Sequence, residues 1–173
     1  RRFNPALTID ARPAFVEFMN ESLPERPPNM ARIVELNRSA EPLELRDPAP
    51  LDVDAVRRLL DQGARVLDVR DTAAFGQEHI PGAIGVPLDG SQFQNRVGLV
   101  VPTDVPLVLV ADDEAMARRT ATMLSVIGLT TIAGYLAGGI DAWRAAGEPL
   151  DRIPGMTVQE LRAALGRDGA APQ

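Results

Sequence analysis

The 173-residue chain has no cysteine and no lysine, and only one histidine, one tryptophan and one tyrosine. Without cysteine there is no disulfide framework, no thiolate metal site and no thiol nucleophile. A single histidine leaves no imidazole cluster of the kind that catalytic zinc uses. No apolar run approaches the roughly 18–20 residues that a membrane span needs. The 18 basic residues, all arginine, face 24 acidic ones, for a net charge of −6. That balance argues against nonspecific binding to DNA, RNA or anionic lipid. Neither nucleic acid nor a membrane is an expected partner. The chain opens Arg1-Arg2-Phe3-Asn4-Pro5, with no initiator methionine and no apolar stretch behind it. We read this as a piece of a longer protein without a secretory signal, and the cytoplasm is the expected compartment.

What is present suffices for a core. Apolar residues make up 45% of the chain, enough to exclude a fully disordered polypeptide. Residues 1–47 are rich in proline. Asp10 is placed to cap a short helix, ARPAFVEFMN, with Phe15, Phe18 and Met19 on one side. Pro27-Pro28 precedes a second short helix with Met30, Ile33, Val34 and Asn37 at helical spacing. Two such helices cannot close a core alone and must lie against something else.

Residues 48–150 alternate strand and helix. DVDAVRRLLDQG reads as a capped amphipathic helix stopped by Gly63, and ARVLDV as a short strand. PLVLVA at 106–111 is a continuous apolar run, the pattern of a strand buried on both faces. A helix over about 113–127 follows, striped by Met116, Thr120, Met123, Leu124 and Ile127. LTTIAGYL supplies another strand, and GGIDAWRAAG a last helix entered through glycine. This order predicts an α/β fold of three layers, a central parallel sheet with helices on both faces. Residues 151–173 form a linker and one more helix. MTVQELRAALGRDGA there resembles LDVDAVRRLLDQGAR at 51–65 and reads as the first helix of a second repeat. A generic C-terminal helix is the alternative.

Two motifs point to a family. One is Asp68-Val69-Arg70, Phe75, His79-Ile80-Pro81-Gly82-Ala83 and Pro87. The other is Gly138-Gly139-Ile140-Asp141-Ala142-Trp143, followed by Ala146-Gly147-Glu148-Pro149. Occurring in this order, they resemble the two ends of the rhodanese homology domain. Three positions depart from the family pattern: Ala74 replaces a glutamate, Glu78 a glycine and Gly85 an asparagine.

The resemblance implies a sulfurtransferase fold whose active members use a cysteine at the end of the central strand. The loop after it curls into a helix N-terminus that holds a sulfur anion. Counting back from Leu124 puts Ala111 at the cysteine position, and a one-residue slip puts Asp112 there; neither can accept a sulfane sulfur. The rest of the loop is Asp112, Asp113, Glu114, Ala115 and Met116, conventional in length. A carboxylate here caps the helix from within, and three acids repel anions. No catalytic residue is therefore assigned. The acids lack the spaced ligands and turn glycine of a calcium loop, so no metal and no cofactor is expected. Asp68, Arg70, His79, Gly138, Gly139 and Trp143 are expected to be structural.

The extension carries a second resemblance. Phe15 and Phe18, then Leu23-Pro24-Glu25-Arg26-Pro27-Pro28, then Leu36-Asn37-Arg38 are similar to the tail of a metallo-β-lactamase-fold domain of the persulfide dioxygenase or glyoxalase type. This implies a metal-dependent domain upstream in the same polypeptide, with the present chain as its non-catalytic structural or docking module. In the alternative, the parent is an active sulfur-metabolising enzyme whose catalytic residues lie outside this chain. A homodimer contact is the other partner such a module admits.

Overall fold

The computed structural model describes residues 5–21, 28–39 and 45–168. Five strands form one parallel sheet: β1 (Pro50–Leu51), β2 (Arg65–Asp68), β3 (Ile84–Gly85), β4 (Leu107–Val110) and β5 (Ile132–Leu136), in the order β1-β5-β4-β2-β3. The domain's helices are α3 (Val53–Asp61), α4 (Thr72–Gln77), α5 (Phe93–Val100), α6 (Glu114–Val126) and α7 (Gly139–Ala145). The extension contributes α1 (Arg12–Glu21) and α2 (Met30–Ser39), and the C-terminal segment α8 (Val158–Asp168).

β4 lies at the centre, and all four of its residues are buried. Successive side chains of a strand point to opposite faces. Val108 and Val110 therefore join Val56, Val66, Ile140 and Trp143, so that α3 and α7 cover one face. Leu107 and Leu109 join Leu67, Phe93, Val97 and Leu124, so that α5 and α6 cover the other. The three-layer α/β architecture expected from the alternating pattern is the one found.

Local chemistry sets the element ends. Asp52 accepts from the Ala55 N–H at 2.7 Å and starts α3, and Gly63, at φ +93°, ends it. At β5, Gly134 is required by a close approach: a Cβ there would stand 2.4 Å from the Ala49 carbonyl oxygen, which lies beside β1. The buried stripe of α6 differs from the expected one. Ala117, Thr120, Ala121, Leu124 and Ser125 face inward, while Met116 and Met123 flank them. Small residues let the helix approach the sheet closely, and Thr120 and Ser125 return their hydroxyls to the Met116 and Ala121 carbonyls at 2.8 Å.

The extension also differs in detail. The first backbone bond of α1 runs from the Phe15 N–H to the Ala11 carbonyl, so Ala11 rather than Asp10 holds the capping position. No residue of α1 is buried. In α2, Ile33 packs on the core while Met30 and Val34 stay exposed. The Leu23–Pro27 part of the second resemblance lies outside the described residues. At the other end, Thr157 and Glu160 form a reciprocal capping box at α8. Val158, Leu161 and Leu165 of that helix remain exposed.

Candidate functional site

In an open α/β sheet the ligand crevice lies at the carboxyl ends of the strands, where the chain reverses its direction of winding. Here that point falls between β2 and β4, and the residues just beyond them are Val69, Arg70 and Asp71, and Ala111, Asp112 and Asp113. Ala111 is buried. The turn into α7 passes over it: Gly138 and Gly139 take φ of +75° and +58°, and a Cβ on Gly139 would come within 3.2 Å of the Ala111 carbonyl oxygen. The two signature glycines are thus explained by backbone conformation and close approach.

The loop after β4 comprises only Ala111, Asp112 and Asp113. Glu114, Ala115 and Met116, counted with the loop by the family resemblance, form the first turn of α6, in line with the helix read over about 113–127. Asp113 Oδ1 accepts from the Met116 N–H at 2.7 Å. The side chain thus satisfies a donor that would otherwise face a bound anion, and Glu-Ala-Met-Ala contains no glycine to break the helix. Glu114 is further tied to Arg118 one turn on, at 2.5 Å.

Beside this loop stands a buried ion pair. Arg70 Nη2 donates to Asp68 Oδ2 at 2.6 Å and Arg70 Nε to Oδ1 at 3.0 Å, with the two side chains 6% and 1% exposed. Nη2 also donates to the Glu78 carbonyl at 2.7 Å, binding the end of β2 to the turn after α4. His79 is buried, its ring stacked on Phe75 with centroids 4.2 Å apart, and its Nδ1 lies 2.9 Å from the Phe75 carbonyl oxygen. Its backbone pairs with Asp151 in both directions. Trp143 Nε1 donates to the Pro149 carbonyl at 2.9 Å. Among the described residues no group of three histidines or acids is placed to hold a metal ion. No described helix is long and apolar enough to cross a membrane.

An open cavity of about 630 Å³ lies near this edge, with walls that include Arg70, Gln77, Glu78, Ile140, Arg144 and Arg152. The acidic loop forms no part of those walls. Glu78, noticed in the sequence only as a departure from a family glycine, is the hub here. It accepts from Arg144 Nε and Arg152 Nη2, each at 2.7 Å. Asp141, followed by Glu78, raises the pKa of Arg144. Arg144 and Arg152 share one carboxylate, which already occupies the anion position between them. No motif marked these arginines, because the partners lie 66 and 74 positions apart.

The hydrogen bond from Arg144, followed by that from Arg152, lowers the Glu78 pKa below its ordinary 4.5. Folding therefore favours the ionised form. The contribution is complete above pH 4.5 and is lost as the pH falls through the lower folded value. Acid is expected to loosen the Asp151–Pro154 strap, with the amide shifts of Arg152 and Ile153 titrating together at a midpoint below 4.5. Glu78→Gln should abolish that transition. A midpoint at or above 4.5 in the parent chain would mean that the clasp does not form.

The rhodanese-like domain family matches residues 52–146, just over half of the chain. No curated protein shows significant sequence similarity to it. Among solved structures, the chain resembles a metallo-β-lactamase from Staphylococcus aureus at 22% identity and a TM-score of 0.61, over 78% of this chain and 38% of that one. It resembles the rhodanese-like domain of the Anabaena Alr3790 protein at 22% identity and a TM-score of 0.52, over 62% of this chain and 86% of that one. A crystallised chain of the same Anabaena protein matches at 21% identity and a TM-score of 0.54, over 68% of this chain and 94% of that one. At these identities the likeness is one of fold. The chain spans well under half the length of the S. aureus protein.

Proposed function

This chain belongs to the rhodanese-like domain family, and from that premise we propose that it is a module from which sulfur transfer has been lost. It serves as a structural or docking unit for a metallo-β-lactamase-fold domain in the same polypeptide, in the cytoplasm. The carrying observation is the junction after β4, where an alanine follows the strand and a helix starts three residues later, capped by its own Asp113. A relay of persulfide needs a thiolate to be loaded and free N–H donors to hold the sulfur anion. Alanine has no sulfur, and the Met116 donor is already engaged.

Sulfur transfer from thiosulfate to cyanide is expected at the buffer rate for this chain. Ala111→Cys is expected to stay at that rate too. The new thiol would be buried and flanked by acids, which disfavour its thiolate, and the anion cradle would still be helix. Turnover well above buffer in either protein sinks the proposal.

One observation favours the wider reading, in which the parent protein acts on a sulfur compound elsewhere in its chain. The likeness to the S. aureus metallo-β-lactamase takes in more of this chain than residues 52–146 do, so it extends beyond the rhodanese-like stretch. Sequence before Arg1 decides it: a His-x-His-x-Asp-His run is expected there. A second rhodanese-like repeat after α8 is part of the same reading. Val158, Leu161 and Leu165 fall where Val53, Val56 and Leu60 fall in α3, the helix that covers the first sheet. A cysteine loop downstream of Gln173 is expected on this view.

A further inference from the structure

The extension contains one residue that does not behave like the rest of it. Asn29, just before α2, is 3% exposed. Its Nδ2 donates at 3.0 Å to the carbonyl of Ile127, the residue that ends α6 and so leaves a carbonyl without a helical partner. The amide fills the notch over Gly98 in α5, where a Cβ would stand 2.8 Å from the Asn29 Oδ1. A turn further along α2, Arg32 and Leu36 lie over Gly128, where a Cβ would meet Arg32 Cγ at 2.7 Å and Leu36 Cδ1 at 3.4 Å. Ile33 packs on the core between them. Positions 29, 32, 33 and 36 make one helical face, and two glycines receive it. The extension is keyed to the domain.

The opposite requirement holds for the rest of it. Met30 and Val34 lie on a separate face of α2 and are exposed, as are Phe15, Val16 and Met19 of α1. The two helices carry three acids (Glu17, Glu21, Glu35) and three arginines (Arg12, Arg32, Arg38), so they lack the basic face that would draw them to an anionic membrane. An uncharged apolar stripe fits the apolar surface of a globular domain.

We infer that α2 is a two-sided joint. Its Asn29 face is locked into the rhodanese-like domain, and its Met30 and Val34 face, together with the stripe of α1, receives the globular domain that precedes it in the polypeptide. The two domains are then held at one orientation instead of being tethered. The occupant rests on the proposed metallo-β-lactamase-fold neighbour. It is favoured over a second copy because the S. aureus structure matches beyond the rhodanese-like stretch and has most of its chain outside the match.

Amide exchange in the 173-residue chain and in the full-length polypeptide tests the joint. In the full-length protein the amides of α1 and the first turns of α2 should exchange at least tenfold more slowly. Phe15→Glu with Met19→Glu should abolish that gain and leave the exchange of residues 52–146 unchanged. Asn29→Ala should release α2 from Gly98 in both forms. Equal exchange in the two forms overturns the inference. So does a dimer of the 173-residue chain in sedimentation that Phe15→Glu dissolves, because the face would then be a contact between copies. An upstream sequence lacking the histidine–aspartate run removes the metallo-β-lactamase reading alone. Unchanged exchange beneath an upstream domain that has that run removes the joint alone.

Discussion

Replacing Asp68 with alanine is expected to lower the unfolding free energy by about 3–5 kcal/mol, read from urea denaturation. The size follows from burial. Asp68 and Arg70 are 1% and 6% exposed, so removing the carboxylate leaves a guanidinium without its counter-charge and without water. Arg70 would keep only its bond to the Glu78 carbonyl. Small domains typically hold about 5–15 kcal/mol in all, so the loss is a large share. Removing both charges together, as Asp68→Leu with Arg70→Met, is expected to cost much less, because no orphan charge remains. A loss below about 1 kcal/mol for Asp68→Ala would show that water reaches the pair.

Trp143→Ala is expected to cost about 3–5 kcal/mol as well, through a different mechanism. Trp143 is 3% exposed and packs with Val56, Val66, Val108, Val110 and Ile140 between α7 and the sheet. Truncation removes a large apolar surface and leaves a cavity that the strands are too tightly packed to close. It also removes the indole donor from the Pro149 carbonyl and frees the start of the C-terminal strap. Trp143→Phe should retain most of the packing and lose mainly the hydrogen bond, about 1 kcal/mol. Tryptophan fluorescence disappears with either variant, so circular dichroism is the appropriate probe. A cost for Trp143→Ala no greater than for Trp143→Phe would mean that the indole bond, not volume, is what matters.

Much of this was visible in the sequence, for local reasons. The PLVLVA run marked the buried central strand because burial on both faces leaves no room for polar alternation. Asp52 and Gly63 marked the ends of α3 because capping is a matter of a few neighbouring residues. The missing cysteine was plain from composition. The extent of the loop was not: the helix read over about 113–127 took in Glu114, Ala115 and Met116, as found, while the family resemblance counted the same three residues with the loop. That outcome depends on whether Asp113 turns its carboxylate back to the Met116 N–H or out to solvent. Likewise Thr120, Leu124 and Ile127 of the expected α6 stripe are buried, but Met116 and Met123 only flank it, because hydrophobicity alone does not mark Ala117 and Ala121 as the residues that sit closest to the sheet.

The sequence by itself determined the parallel α/β architecture, the buried central strand and the absence of cysteine. Each of these follows from periodicity, capping or composition, which are short-range properties. Only the tertiary structure decided that Glu78 gathers Arg144 and Arg152, that Asn29 is a key and not a loop residue, and that Val158, Leu161 and Leu165 of α8 stay exposed. Those facts join positions as many as 98 residues apart. A contact at that range leaves no period in the chain, because it exists only once the sheet has brought its edges and helices together.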